Sequence, residues 1–312
     1  MLETILFLLG LAGLWGGTLL TVRGAVDVSE RHGLSQGFIG LTILAIGTDL
    51  PELLVSVSGS LQQLRGIESS GVIVGNAIGS AMAQGTLVLG VAGLFGTMGI
   101  APRMIRRDGL TLLLAIALTT TLCWDGDVGR LQGAALLIAY LIYFVSLVQA
   151  EHGHGEAKTH RDARGPSPMF ALFVGLVTVI LAAHVVVTEG VELADSWGIS
   201  QTLVGVLLIA LGTSLPELAL SIGAMRKGHA SLSAGNIIGS NIFDLLVPVG
   251  LAAVIHPLMV DATTTSFDLP AVALATGALL VFMTRRRGLQ RGEAIALIGL
   301  YVAYAVLRML VA

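Results

Sequence analysis

Cysteine is almost missing from this 312-residue chain, where Cys123 stands alone. No internal disulfide can form, and redox compartment is not specified. Cys123 is expected as a small buried residue with no reactive role. Charge is scarce as well: Asp, Glu, Lys and Arg make up 12% of the chain, about half of the roughly 25% usual in soluble domains. The net charge of −3 provides no basic field for nucleic acid and no polybasic membrane anchor. A basic n-region is absent too. Glu3 sits in the opening run MLETILFLLGLAGLWGG, so this run reads as a retained first membrane helix and not as a signal peptide.

What remains is apolar. Hydrophobic residues are 54% of the chain, with forty glycines and a mean hydropathy of +0.88. Glycine in so apolar a chain points to closely packed membrane helices. A spanning helix needs roughly 20 apolar residues. About ten such runs are present, near 3–22, 34–61, 70–98, 108–124, 130–149, 168–188, 200–225, 230–255, 267–284 and 292–311. The expected fold is therefore an all-α integral membrane protein.

Lys and Arg set the orientation. With the N-terminus outside, the inside loops hold fourteen of the 17 basic residues, and only Arg65, Arg130 and Arg308 lie outside. Both termini then face out, and the polar stretch 151–168 is a cytoplasmic linker. It divides the chain into residues 1–150 and 169–312, with about five spans each. An odd number of spans per half makes related halves an inverted repeat.

The halves are related. GLTILAIGTDLPELLVSVSGS (40–60) aligns without gaps with GVLLIALGTSLPELALSIGAM (205–225), and nine of 21 positions are identical. GNAIGSAMAQ (75–84) aligns with GNIIGSNIFD (235–244). The repeated modules thus cover 40–84 and 205–244.

These modules carry oxygen. Thr48, Glu52 and Ser56 fall at i, i+4 and i+8, as do Thr213, Glu217 and Ser221, so each trio forms one helical stripe. Asn76, Ser80 and Gln84 make a third stripe; Asn236, Ser240 and Asp244 make a fourth. Pro51 and Pro216 cannot donate the helical N–H bond, which frees the carbonyls of Gly47 and Gly212. Of the 20 acids, Asp49, Glu52, Glu217 and Asp244 alone are expected deep in apolar runs, and no Lys or Arg is placed near a span middle. Such acids mark a functional site, with a metal ion or proton as partner. An all-oxygen set favours Ca2+, Na+ or similar ions over zinc or copper. Ser56, Ser221, Asn76 and Asn236 also fit an alternative role, hydrogen bonding between helices.

At these residues the chain resembles the sodium/calcium exchanger superfamily, the calcium:cation antiporters. Their two repeats carry a G-[TS]-S-x-P-E motif and a G-N-x-x-G-S-N-x-x-[ND] motif. The resemblance implies exchange of Ca2+ for Na+ by alternating access, with spans 1 and 6 sliding against the core, and no enzymatic activity or cofactor. It implies Glu52 and Glu217 as central calcium ligands. It implies hydroxyl or carbonyl ligands at Thr48, Thr213, Ser214, Ser80 and Ser240, and an acid or amide ligand at Asp244 and Gln84. The first repeat departs from the pattern at Asp49, Ala81 and Gln84. Crowded carboxylates in a low dielectric cannot all stay ionised without counter-ions. Asp49 therefore serves a proton, strengthens a Na+ site or admits K+, so Ca2+/H+ or K+-dependent exchange is the alternative.

Two other classes compete. A channel would also use acids and freed carbonyls, but a duplicated inverted module with one site favours alternating access. An intramembrane hydrolase would want a histidine, and none lies near the motifs; His184 and His256 are isolated. His152, His154 and His160 in the linker are expected to be solvated, with regulatory metal binding as the alternative. The expected partners are inorganic cations and the bilayer of a prokaryotic inner membrane, with no obligate protein partner.

Overall fold

The computed structural model describes residues 2–31, 45–98, 104–151, 167–226, 228, 230–285 and 288–311. The linker histidines and the start of the 34–61 run lie outside them. The described chain is helical apart from two short strands. Helix α1 is Leu2–Arg31. Ala45–Thr48 (α2) and Leu50–Gln63 (α3) follow, then Ser70–Gly93 (α4), which contains a π turn at Gln84–Val88. A π turn at Ile105–Gly109 leads into α5, Leu110–Leu122. Then come α6 (Arg130–Glu151), α7 (Pro168–Trp197), α8 (Gln201–Thr213), α9 (Leu215–Arg226) and α10 (Ala230–Ile255). A π turn at Thr264–Asp268 opens onto α11 (Leu269–Arg285), and α12 (Arg291–Leu310) is last.

Seven described helices are long and apolar enough to cross a membrane, and an eighth if the bent pair α8–α9 counts as one span. The chain is a helical membrane protein. Two helices form its centre: 94% of α4 and 78% of the Ser233–Ile255 window of α10 are buried, against 22–39% of the other five. Those others turn Leu8, Leu9, Leu141, Ile142, Phe173 and Leu181 outward, as a lipid-facing layer does.

Lipid tails are as apolar as Leu, so close packing must hold the helices together, and small residues allow it. Helix α1 runs antiparallel to α7. Gly10, Gly13, Gly17 and Gly24 meet Val186, Ala182, Val179 and Leu172 in turn. A Cβ added at Gly175 would come 2.5 Å from the Thr21 nitrogen. Helix α4 meets α8 in the same way, because a Cβ at Gly75 or Gly205 would lie 3.0–3.2 Å from the other glycine's Cα. Gly133 of α6 and Gly250 of α10 make a third such crossing.

Two loop contacts tie the ends. Met98 pairs with Leu289 through bonds of 2.9 and 3.0 Å. Strand β1 (Asp127–Val128) pairs antiparallel with β2 (Leu258–Met259).

Charge is also buried near the ends of two helices. Arg308 is 1% exposed and its Nε sits 3.0 Å from Asp268 Oδ1, itself fully buried. Tyr304 donates to the same carboxylate at 2.8 Å. Asp268 is therefore a further buried acid, as is Asp108, which pairs with Arg107 at 2.7 Å. The reason is packing: Tyr301, Tyr304 and Arg308 share one face of α12, turned towards α11. Cys123 is buried and free, as expected.

Two predictions follow from this packing. Gly175→Ala drives a methyl into the α1 backbone and is expected to cost about 1–3 kcal/mol. Gly16→Ala, with nothing within 4 Å, is the neutral control. Equal thermal midpoints in detergent would refute the seam. Asp268→Ala strands a buried guanidinium and should cost about 3–5 kcal/mol, while Asp268→Leu combined with Arg308→Met recovers most of that loss. A single variant as stable as the parent would contradict the pairing.

Candidate cation site

The two acidic motifs fold alike. The chain breaks at Asp49 between α2 and α3, with φ −83° and ψ 2°. It breaks again at Ser214 between α8 and α9, with φ −82° and ψ 5°. Both residues sit just outside helical geometry. Each proline falls two residues later, in the first turn of the new helix, where a missing N–H costs little. The axes of α8 and α9 differ by 41°. Gly47 and Gly212 open the turn before each break. They are also covered: a Cβ at Gly47 would meet Val22 at 2.8 Å, and one at Gly212 would meet Leu11 at 2.5 Å. Both covering residues belong to α1.

Side chains from five helical segments converge between these breaks. Ser80 of α4 donates to Glu52 of α3 at 3.5 Å and lies 3.3 Å from the Thr213 hydroxyl of α8. Thr213 donates to Asn76 at 3.1 Å. Gln84 of α4 donates to Asp244 of α10 at 2.9 Å. Gln84 begins the π turn of its helix, a distortion common at functional sites. Glu217 of α9 is close enough to feel the charges of Glu52, Asp49 and Asp244. Every expected ligand is buried: Thr48, Asp49, Glu52, Ser80, Gln84, Thr213, Ser214, Glu217, Ser240 and Asp244.

Most of these oxygens have nothing to bind. Among the described residues, both Glu217 carboxylate oxygens lack a well-placed donor, as do Asp49 Oδ1, Glu52 Oε2, Asp244 Oδ1, Gln84 Oε1 and the hydroxyls of Ser214 and Ser240, although Asp49 lies close to both Glu217 and Ser240. Ser56 and Ser221 are in the same condition. Buried polar atoms are ordinarily satisfied, and an orphaned carboxylate is the most costly of them. So many unpartnered acceptors in one place fit a cation. Among the described residues no three Asp, Glu, His or Cys side chains close into a metal-holding group by themselves. A bound ion would therefore need the hydroxyls and the Gln84 amide as well. That is the mixed, hard-oxygen shell that Ca2+ and Na+ accept.

Some neighbours escaped the sequence reading. Asn241 is buried beside Gly85, its Oδ1 unpartnered. Tyr140 of α6 lies near Asp49 and Asp244, with its ring edge-on to Phe243 at 5.3 Å. A signal for it existed: Arg130, Tyr140 and Tyr143 recur 161 residues later as Arg291, Tyr301 and Tyr304.

The chain is similar to known proteins along its whole length. It is 29% identical to the sodium/calcium exchanger MaX1 of Methanosarcina acetivorans, over 97% of each chain. It is 31% identical to the inner membrane protein YrbG of Escherichia coli, over 96% of this chain and 93% of that one. Its fold matches a structure of the sodium-calcium exchanger NCX_Mj soaked with Na+ and Sr2+, with a TM-score of 0.66, 28% identity and 97% of both chains covered. The profile of the sodium/calcium exchanger protein family matches residues 2–149 and 167–310. The duplicated acidic motifs are thus set in the fold of such an exchanger, and the chain belongs to the sodium/calcium exchanger protein family.

Proposed function

We propose that this protein exchanges Ca2+ for Na+ across a prokaryotic inner membrane by alternating access. The observation that carries this reading is the set of unpartnered buried oxygens on Asp49, Glu52, Ser214, Glu217, Ser240 and Asp244. Glu52 and Glu217 are the central calcium ligands. Thr48, Thr213, Ser214, Ser80, Ser240, Gln84, Asp244 and Asp49 complete the sites for Ca2+ and Na+. The names of MaX1 and NCX_Mj as sodium/calcium exchangers support both ions.

The chain is two inverted five-span halves, 1–150 and 169–312, joined by a cytoplasmic linker, with both termini outside. The equal backbone angles at Asp49 and Ser214 support this. So does the loop pairing: adding the repeat offset of 160–161 to Met98 and Val128 gives Leu258 and Leu289, so each bridge is the image of the other. The α1–α7 contact behaves likewise, since Gly10 against Val186 becomes Gly175 against Thr21 at an offset of 165.

Alternation has a natural moving part. Helices α1 and α7 meet along a glycine seam and expose much of their other surface. Leu11 and Val22 of α1 lie over both helix breaks. A slide of this pair relative to α4 and α10 would uncover one break at a time and let ions reach the site from one side only.

The test is transport in proteoliposomes under separate gradients. An outward Na+ gradient should drive Ca2+ uptake, and Glu52→Gln or Glu217→Gln should reduce it by more than the roughly 10–100-fold typical of changes behind a metal ligand. Uptake indifferent to Na+ but driven by a pH gradient would replace Na+ with H+ as the coupling ion.

A further inference from the structure

The face that α7 turns to the rest of the molecule is largely apolar. Val179, Val186 and Val187 of α7 are buried in one cluster with Val55 of α3 and Val72 of α4. Apolar burial is non-directional, so such side chains can trade one apolar neighbour for another. A face of this kind sets no register of its own.

One contact across it is directional. Gln62, in the last turn of α3, is 2% exposed. Its Nε2 donates to the Thr188 hydroxyl oxygen of α7 at 3.0 Å. The same nitrogen lies 3.4 Å from Nδ1 of His184 and 3.5 Å from the His184 carbonyl oxygen. Thr188 donates its own proton to that carbonyl at 2.9 Å, which leaves its oxygen to accept. Sliding α7 past α3 by a fraction of a turn would break the bond and strand a buried amide.

The other half has no means to copy this contact. The repeat offset of 165 turns His184 into Leu19, Thr188 into Arg23 and Gln62 into Lys227. None of those three side chains carries a hydrogen-bond acceptor. When related halves alternate, each takes in one access state the arrangement that the other takes in the opposite state. The bond from Gln62 to α7 then has no image in the opposite state.

We infer that Gln62 and Thr188 form a one-sided latch, which holds α7 to α3 in one access state and must break before the other forms. This rests on the alternating-access reading above and adds what makes its two states unequal. The apparent affinity on each face falls with the population of the state open to that face. Releasing the latch therefore moves the apparent Ca2+ affinities of the two faces in opposite directions.

The experiment is 45Ca2+ entry against trapped unlabelled Ca2+, with the full chain in right-side-out and in inside-out membrane vesicles. Each vesicle type gives the KM of one face. Exchange of Ca2+ for Ca2+ makes the result independent of the coupling ion. Gln62→Leu and the nearly isosteric Thr188→Val both remove the bond. Each is expected to change the ratio of the two KM values by roughly 2–10-fold, in the same direction. The double variant changes it no further than the larger single one, because both lose the same bond. A merely structural role would lower the thermal midpoint and the maximal rate and leave the ratio alone. The latch is overturned if both single variants keep the parent ratio. It is also overturned if the double variant shows the product of the two single effects. Those outcomes leave calcium exchange standing. No Ca2+ exchange from either face by the parent chain would instead overturn the alternating-access reading and the latch together.

Discussion

Four carboxylates buried with no basic partner among the described residues are the constraint on which the rest of this structure depends. Asp49, Glu52, Glu217 and Asp244 lie together beside hydroxyls, amides and one another. The same molecule shows the ordinary solution a few turns away, where Asp268 is matched by Arg308 and Tyr304. The contrast is informative. A guanidinium settles a buried acid permanently, whereas an absent one leaves it for something that comes and goes. Both motif helices break at the same backbone angles, and each new helix starts with its glutamate in the first turn.

The packing serves the same end. The helices that carry Ser80, Gln84 and Asp244 are the two buried centrally, and glycine brings α4 and α8 within backbone contact. That core fixes these side chains in place. Around it, α1 and α7 meet along the same kind of glycine contact, with Phe7, Leu14, Val179 and Val186 buried beside it.

Much of this was legible in the sequence because polar residues in apolar helices stand out. The repeated G-T-x-L-P-E-L string located both breaks, and the i, i+4 stripes named buried polar residues that the structure brings together. Helix limits were close as well, with 230–255 matching Ala230–Ile255. The misses have physical reasons. An arginine near a span end looks the same in sequence whether it reaches water or, like Arg308, turns inward to an acid. The break falls at Asp49 and Ser214 and not at the prolines, since proline is welcome in a helix's first turn. The π turn at Gln84–Val88 depends on tertiary packing, which periodicity does not report. Tyr140 went unread although Arg130, Tyr140 and Tyr143 recur as Arg291, Tyr301 and Tyr304, because an aromatic in an apolar run carries no charge to mark it.

The central claim is that one ion is shared between the two helix breaks. A structure of the protein soaked in Ca2+ or Sr2+, with the ion located by its anomalous scattering, tests it most directly. The account predicts a peak about 2.3–2.6 Å from oxygens of both Glu52 and Glu217. A divalent ion bound elsewhere, with Glu52 and Glu217 both outside its coordination shell, would contradict it.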